Sequence, residues 1–292
     1  MSTQRRFLGL DEPGSYRDDE ILPITRWVGI LLAPALFVAF VILFVFPDRT
    51  TELFAWTISP EMTPIVMGAG YGTGVYFFLR VASGKEWHRV ALVFPGIAVF
   101  TWFMAIATIL HWENFNHGHV TFAIWVFLYA AAPILVPAIW YLNQQTVTHR
   151  SGLDRIAPGT IDGDARTLPR VVQWIGGISG ALMILSATVL FFVPSVLVDH
   201  WAWDVSPLTA RILLGWFALF GVVNVASALD PRWSAVRIVV QTKVIGFGLI
   251  LVGVAMAWGD FDTANPITWG FVGGFIAYLL AIVALYVSME RQ

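Results

Sequence analysis

Four side chains that could bind a metal ion lie close together in one polar segment. The segment HWENFNHGHV contains His111, Glu113, His117 and His119. Imidazole and carboxylate groups each offer a lone pair, so such spacings can hold Zn²⁺, Cu²⁺ or Fe²⁺. The segment lacks the H-E-x-x-H pattern of a metal-binding helix, and two-residue spacing is common in polar loops. A divalent metal or haem site is therefore one hypothesis, and a solvated or interfacial loop is the alternative that we favour.

Other reactive groups are scarce along the chain. The absence of cysteine excludes disulfides, thiolate metal sites and cysteine nucleophiles. No Ser-His-Asp set or phosphate-binding loop occurs at a suitable place, and the Gly-rich segment MGAGYGTG lies inside an apolar stretch. No catalytic or cofactor-binding residue can therefore be assigned from motifs. The net charge of −2 argues against a nucleic-acid partner.

The composition is that of a membrane protein. Of the 292 residues, 58% are hydrophobic and 12% are charged, against about 25% charged residues in soluble domains. A bilayer core needs roughly 20 apolar residues per helix, and eight such stretches occur. They are residues 27–46, 63–78, 90–110, 121–141, 171–193, 211–228, 238–258 and 269–287. We therefore predict an all-α integral membrane protein with eight transmembrane helices.

The positive charges predict how the chain is oriented. If the amino terminus is cytoplasmic, 14 of the 17 Lys and Arg residues fall on the cytoplasmic side. The opposite side receives Arg49 and Arg211, and Lys243 lies within a span. Because positively charged loops resist translocation, this bias predicts that both termini are cytoplasmic. The sequence resembles bacterial multi-span proteins in general character only, and we expect it in the plasma or inner membrane.

Two similar phrases, FAWTISPEMTP and WAWDVSPLTAR, indicate an internal repeat. Trp56 and Trp203 lie 147 residues apart, and the same offset pairs other Trp, Pro and Gly residues. We predict two tandem, parallel four-helix repeats related by a pseudo-twofold axis along the membrane normal. The predicted units are an N-terminal cytoplasmic segment (1–26), the first repeat (27–142), a cytoplasmic linker (143–170), the second repeat (171–288) and a tail (289–292).

The repeated phrase predicts helix starts and an interfacial aromatic belt. Ser before Pro favours a helix start, because the hydroxyl caps free N–H groups and Pro at the first position loses no hydrogen bond. Trp side chains favour the headgroup layer. The predicted cap and belt residues are Trp56, Ser59, Pro60, Trp203, Ser206 and Pro207.

Small residues predict where helices approach closely. Glycines four residues apart occur at positions 68 and 72, 70 and 74, 176 and 180, and 270 and 274. In lipid, this spacing is typical of helix–helix contacts. Asn224, Gln241 and Thr108 are predicted to form hydrogen bonds between helices, as isolated polar groups in lipid usually do.

Lys243 is the only ionisable residue clearly inside a predicted span. It lies about 7–8 Å from the start of the span at residue 238, at roughly 1.5 Å per residue. We expect its amine to reach the cytoplasmic surface along an extended side chain. A Schiff-base chromophore is disfavoured, because no acidic residue inside a span could act as its counter-ion.

Three functions are consistent with these features. The first is a non-catalytic accessory or scaffold subunit, or a binder of lipid or another apolar ligand, in contact with membrane lipid and with a larger membrane complex as a conceivable partner. The second is a membrane enzyme with a metal site in the segment from His111 to His119. The third is a carrier of an uncharged or lipidic substrate. We favour the first, because intramembrane charge is scarce and Trp and Phe are abundant.

Overall fold

The protein is a bundle of eight apolar helices, each long enough to cross a membrane. A computed structural model describes residues 19–145, 147 and 163–292. Within these residues there is no β-strand. The prediction of a multi-pass, all-α membrane protein is confirmed. Residues 1–18 of the predicted N-terminal segment, and residues 146 and 148–162 of the predicted linker, lie outside the described residues.

The eight spans begin and end at polar residues, prolines or short turns. They are α1 (Pro23–Val45), α2 (Met62–Ser83), α3 (His88–Leu110), α4 (Val120–Gln144), α5 (Arg170–Phe192), α6 (Pro207–Leu229), α7 (Trp233–Met256) and α8 (Pro266–Glu290). In lipid a spanning segment must satisfy its own backbone hydrogen bonds, and an α-helix does so. Short helices at Thr50–Leu53 and Ser195–His200 follow α1 and α5.

Helix packing connects the two halves of the chain. Within the halves, α1 packs on α2, α3 on α4, α5 on α6 and α7 on α8. Between them, α6 packs on α3 and α2 packs on α7. The first four helices therefore do not form a closed bundle, because α2 and α3 each have a principal partner in the second half.

Helices α5 and α6 approach each other closely at two glycines. A Cβ atom added to Gly180 would lie 2.6 Å from the carbonyl oxygen of Gly221, and one added to Gly221 would lie 2.8 Å from that of Gly180. Neither position can hold a larger residue unless the backbones separate. Small-residue packing is thus confirmed at Gly180. At Gly270 and Gly274 the prediction was wrong, because a Cβ added there has nothing within 4 Å.

The side of the bundle on which α1 begins and α8 ends is called the terminal face. Here the segment before α1 is bonded to the turn between α2 and α3, with Ile21 N donating to Lys85 O at 3.1 Å. The buried carboxylate of Asp19 accepts a bond from the backbone N–H of His88 and contacts its imidazole. The matching contact before α5 is Leu168 N to Pro231 O, at 2.8 Å. These contacts hold the starts of α1 and α5 against the following helix pair.

The other side is called the opposite face, and its connections fold inward. Asn116 N donates to Ala55 O at 2.8 Å, and Asp262 N donates to Ala202 O at 3.1 Å. These bonds hold the repeated segments FAWTISPEMTP and WAWDVSPLTAR against the α3–α4 and α7–α8 connections, respectively. As a result Trp56 and Trp203 are each only 3% exposed. Both rings fill space between helix ends, so their burial does not support the predicted headgroup belt, which stays a prediction.

The predicted caps differ between the halves. Ser206 is the N-cap of α6, its hydroxyl accepts from Thr209 N at 3.2 Å, and Pro207 is the first helical residue, so the second half is as predicted. In the first half the Ser59–Pro60 peptide is cis and α2 begins only at Met62.

The prediction of a Ser59–Pro60 helix start is therefore wrong. The N-cap position of α2 is occupied by Glu61, which makes no side-chain cap bond. The free N–H of Met62 instead donates to the carboxylate of Asp260 at 2.7 Å. A carboxylate at the positive end of a helix accepts from a free N–H group and interacts favourably with the helix dipole. Asp260, which is distant in the sequence, therefore caps α2 in place of Ser59.

Candidate functional site

The predicted metal-binding residues lie in the α3–α4 connection, each with its own protein contacts. His111 Nε2 is 2.7 Å from the guanidinium of Arg211. His117 Nε2 is 2.8 Å from the carbonyl oxygen of Trp112, and His119 is the N-cap of α4. Within the described residues, no three His, Asp or Glu side chains are grouped as a metal site requires. The metal site stays a prediction that these contacts do not support.

The contact with Arg211 also sets the protonation of His111. A guanidinium only donates hydrogen bonds, so Nε2 must accept and its lone pair is occupied. Burial lowers the pKa of His111, and the positive charge of Arg211 lowers it further. The imidazole is therefore held neutral, as a metal ligand must be, but the nitrogen facing the bundle is already engaged.

Two cavities inside the bundle form the alternative candidate site. Their volumes are about 170 and 280 Å³, and both are lined almost wholly by apolar and aromatic side chains. Trp216, Phe220 and Lys243 line both cavities. Ligand sites are usually concave, mostly apolar and supplied with a few polar groups. The cavities fit that description and lie within the membrane-spanning part of the fold.

The first cavity lies among α1, α2, α3, α4, α6 and α7. Phe77 and Phe94 line it, as do the buried Tyr71 and Tyr129. The hydroxyl oxygens of the two tyrosines are 3.2 Å apart, so one hydroxyl donates to the other across the bundle. Few of its lining groups could bind a charge, and its lining suits a hydrocarbon.

The second cavity lies among α2, α5, α6, α7 and α8. Trp203 lines it and is fixed from two sides: its Nε1–H donates to Thr63 Oγ1 at 2.8 Å, and its ring lies edge-on to Phe271 at 5.2 Å. Trp201 and Tyr278 add further aromatic surface. The cavity therefore has rigid aromatic walls, with α2 of the first half supplying the partner that holds Trp203 in place.

Trp216 on α6 lies between the cavities, and a glycine leaves room for it. A Cβ atom added to Gly70 of α2 would lie 2.6 Å from the indole ring. The ring also packs on Phe100 at 4.4 Å and edge-on to Tyr71 at 5.9 Å. This contact between α2 and α6 was not predicted from the sequence. The signal for it was the cluster of glycines in MGAGYGTG, whose partner on α6 could not be known from sequence.

Lys243 lies deeper in the membrane than the sequence analysis indicated. Its helix begins at Trp233, ten residues earlier, which places Lys243 about 15 Å from the terminal end of α7 at 1.5 Å per residue. The amine does not extend to the terminal face. It donates to Asn224 Oδ1 of α6 at 2.5 Å, beside the second cavity. The interpretation of Lys243 as a residue that reaches the surface is therefore wrong.

No described acidic side chain pairs with Lys243. The ion pairs among the described residues join other groups, at the terminal face or near Arg49. A cation within a membrane-spanning bundle is costly unless it has a partner, and such residues are usually functional. Lys243 is thus the most unusual group in the membrane-spanning part of this fold.

The predicted interhelical hydrogen bonds are confirmed. Asn224 accepts from Lys243, and Thr108 Oγ1 accepts from Trp125 Nε1 at 2.8 Å. Gln241 accepts from Tyr76 at 2.6 Å and donates to Tyr286 at 3.0 Å. The two bonds of Gln241 join α7 to α2 and to α8.

Comparison with known proteins gives no further guide to function. No protein family, curated protein or solved structure matched this chain at a significant level. The functional assignment therefore depends on the geometry described above.

Proposed function

We propose that this protein is a non-catalytic membrane protein that binds a lipid-like molecule in the two internal cavities. The observation that carries the proposal is the pair of adjoining apolar cavities, which share Trp216, Phe220 and Lys243 as walls. Burial of a hydrocarbon chain between rigid aromatic side chains is favourable, and the lining offers no nucleophile paired with a base.

We also propose that the chain is a tandem repeat with one cavity in each half. The packing pattern supports this, because exchanging α1–α4 with α5–α8 leaves every principal helix pair unchanged. The inward bonds at Ala55 and Ala202, 147 residues apart, give further support. A pseudo-twofold axis along the membrane normal would relate the halves, and it would bring α2 and α6 together at the centre.

The proposed orientation has both termini in the cytoplasm and the repeated phrases outside, in a plasma or inner membrane. The distribution of basic residues supports it, since within the described part of the chain two, Arg49 and Arg211, lie on the opposite face and nine lie on the terminal side. Membrane lipid would be the natural source of the ligand. An apolar molecule could reach the cavities by lateral diffusion between helices, without crossing water.

A photo-crosslinking experiment tests the proposed binding. A diazirine-bearing long-chain fatty alcohol would be added to the purified protein in lipid nanodiscs, irradiated, and its attachment sites mapped by mass spectrometry. We expect saturable labelling of Trp216 and Phe220 on α6 that unlabelled fatty alcohol competes away. Labelling confined to lipid-facing residues such as Phe192, without saturation, would contradict the proposal. Phe192 is 75% exposed on α5 and serves as the internal reference.

A further inference from the structure

Lys243 lines both cavities, and its hydrogen-bond partner Asn224 lines the second cavity but not the first. Trp87 and Trp233 occupy corresponding positions at the terminal face, and both are fully buried. The backbone N–H of Trp87 donates to the segment before α1, and that of Trp233 donates to the segment before α5. By that offset of 146, the first-half counterpart of Lys243 is Ile97. By the offset of 147 that holds earlier in the chain, the counterpart of Asn224 is Phe77.

Ile97 and Phe77 both line the first cavity, as Lys243 and Asn224 line the second. One half therefore has two hydrocarbon side chains where the other half has an amine bonded to an amide. A purely structural hydrogen bond between α6 and α7 would not require a cation, since two neutral amides or hydroxyls would serve. The choice of lysine points to recognition of a charge.

We infer that the second cavity binds a single-chain amphiphile with a carboxylate headgroup, and that Lys243 pairs with that carboxylate. This inference rests on the proposed function of the cavities. Within the described residues the amine of Lys243 has a neutral partner, Asn224, and no acidic side chain pairs with it, so its charge is not neutralised by the protein. The ligand carboxylate would supply it.

The charge on the headgroup favours a carboxylate over a phosphate monoester. A carboxylate carries one negative charge, which one ammonium group neutralises. A phosphate monoester carries about −1.5 to −2 charges and would leave part of its charge uncompensated beside an apolar wall. Arginine forks are the usual partners for such groups, and no arginine lines either cavity.

The size of the cavities favours a single chain. At about 280 Å³ the second cavity lies just below the range of roughly 300–1,000 Å³ that is typical of small-molecule sites. A hydrocarbon tail can continue from it past Trp216 and Phe220, which also line the first cavity. The headgroup would lie at Lys243 and Asn224, with the tail among the phenylalanines and tyrosines of the first half.

The experiment compares two diazirine probes of equal chain length, a fatty acid and the corresponding fatty alcohol, in lipid nanodiscs at pH 7.5. In the unmodified protein we expect the acid to label the cavity residues at a concentration roughly tenfold lower than the alcohol, because bonds to charged groups are among the stronger ones. Lys243→Met should abolish this preference and leave labelling by the alcohol intact. Lys243→Arg, which keeps the charge, should retain part of it.

The control is Lys85→Met, which removes the other lysine of the chain, exposed in the turn between α2 and α3. It should leave the preference for the acid unchanged. Equal labelling by acid and alcohol in the unmodified protein, with no effect of Lys243→Met, overturns the carboxylate inference alone. Failure of both probes to label the cavity overturns the proposed function as well. A thermal unfolding curve of each variant verifies that it is folded.

Discussion

The amine nitrogen of Lys243 on α7 lies 2.5 Å from the side-chain oxygen of Asn224 on α6, five residues before the terminal end of that helix. Both residues line the second cavity, and Lys243 also lines the first. The pair therefore joins α6 to α7 and also lines the space in which a ligand would lie. Other contacts around the cavities can be tested by substitutions of similar size.

Thr63 fixes a wall of the second cavity from the other half of the chain. Thr63→Val keeps the volume but removes the acceptor of Trp203 Nε1–H, which is buried. An unsatisfied buried donor costs about 1–3 kcal/mol, so we expect a lower unfolding temperature in detergent. Thr63→Ser keeps the hydroxyl and should lose less. Equal stability of Thr63→Val and the unmodified protein would show that this bond contributes nothing.

Gly70 leaves room for Trp216 between the cavities. In Gly70→Ala the new methyl group would lie 2.6 Å from the indole ring, which must move or push the helices apart. Overpacking of this kind costs about 1–3 kcal/mol, and labelling of both cavities by the fatty alcohol should fall. Gly273→Ala on α8 is the matched control, because a Cβ there meets nothing within 4 Å. If both variants behave alike, Trp216 is not a fixed wall.

Asp164 gives a prediction for the dependence of stability on pH. Hydrogen bonds from the guanidinium of Arg166, at 2.9 Å, lower the pKa of the Asp164 carboxyl below its ordinary value. A lowered folded-state pKa means that the unfolded chain binds the proton more readily. This contribution to stability is therefore present above about pH 4 and is lost as the pH falls further.

Asp164→Asn tests that prediction. We expect the variant to be less stable than the unmodified protein at pH 7, with the difference shrinking as the pH is lowered below about 4. Thermal unfolding at several pH values in one detergent measures it. A constant difference across this range would mean that the carboxylate charge is not what stabilises the segment before α5.

Single cysteines test the orientation without background, because the chain has none. Gly118→Cys lies in the exposed α3–α4 connection, and Lys85→Cys lies in the exposed α2–α3 turn. With cytoplasmic termini, a membrane-impermeant maleimide should label position 118 in intact cells and position 85 only after permeabilisation. The reverse pattern would contradict the proposed orientation.

The metal hypothesis is tested by metal analysis after exposure of the purified protein to Zn²⁺ and removal of the excess. His117→Asn and His119→Asn should hold as much zinc as the unmodified protein, because the nitrogen of His111 that faces the bundle already accepts from Arg211. One equivalent of zinc in the unmodified protein, lost in either variant, would restore the metal site as a candidate.

The number of spans and their approximate ends could be read from the sequence, because lipid imposes a length and a composition on each helix. The cavities could not, because they depend on which helices meet. Trp203 and Thr63 are 140 residues apart in the chain, and Tyr76 and Gln241 are 165 apart. Local rules also misplaced residues that act over long distances: Ser59 matched a capping pattern, yet Asp260 caps α2.

The position of Lys243 shows the same limit. The sequence predicts that the span begins at residue 238, whereas α7 begins at the buried Trp233. The predicted distance of Lys243 from the start of its helix is therefore too short. The polar residues Ser234 and Arg237 interrupt the apolar pattern, so the first turn and a half of α7 could not be recognised as part of the span. The direction of the amine depended on Asn224, nineteen residues away on a different helix.

The pairing of α2 with α7 and of α3 with α6 has a consequence for biosynthesis. When the ribosome has delivered α4 to the membrane, two of the four inserted helices still lack the neighbours that they will have in the finished protein. The nascent chain must keep those faces against lipid, or against an insertion factor, until α6 and α7 arrive. Synthesis halted after the first half should therefore leave an insertion intermediate that proteases remove, whereas the two halves made as separate chains should accumulate only together.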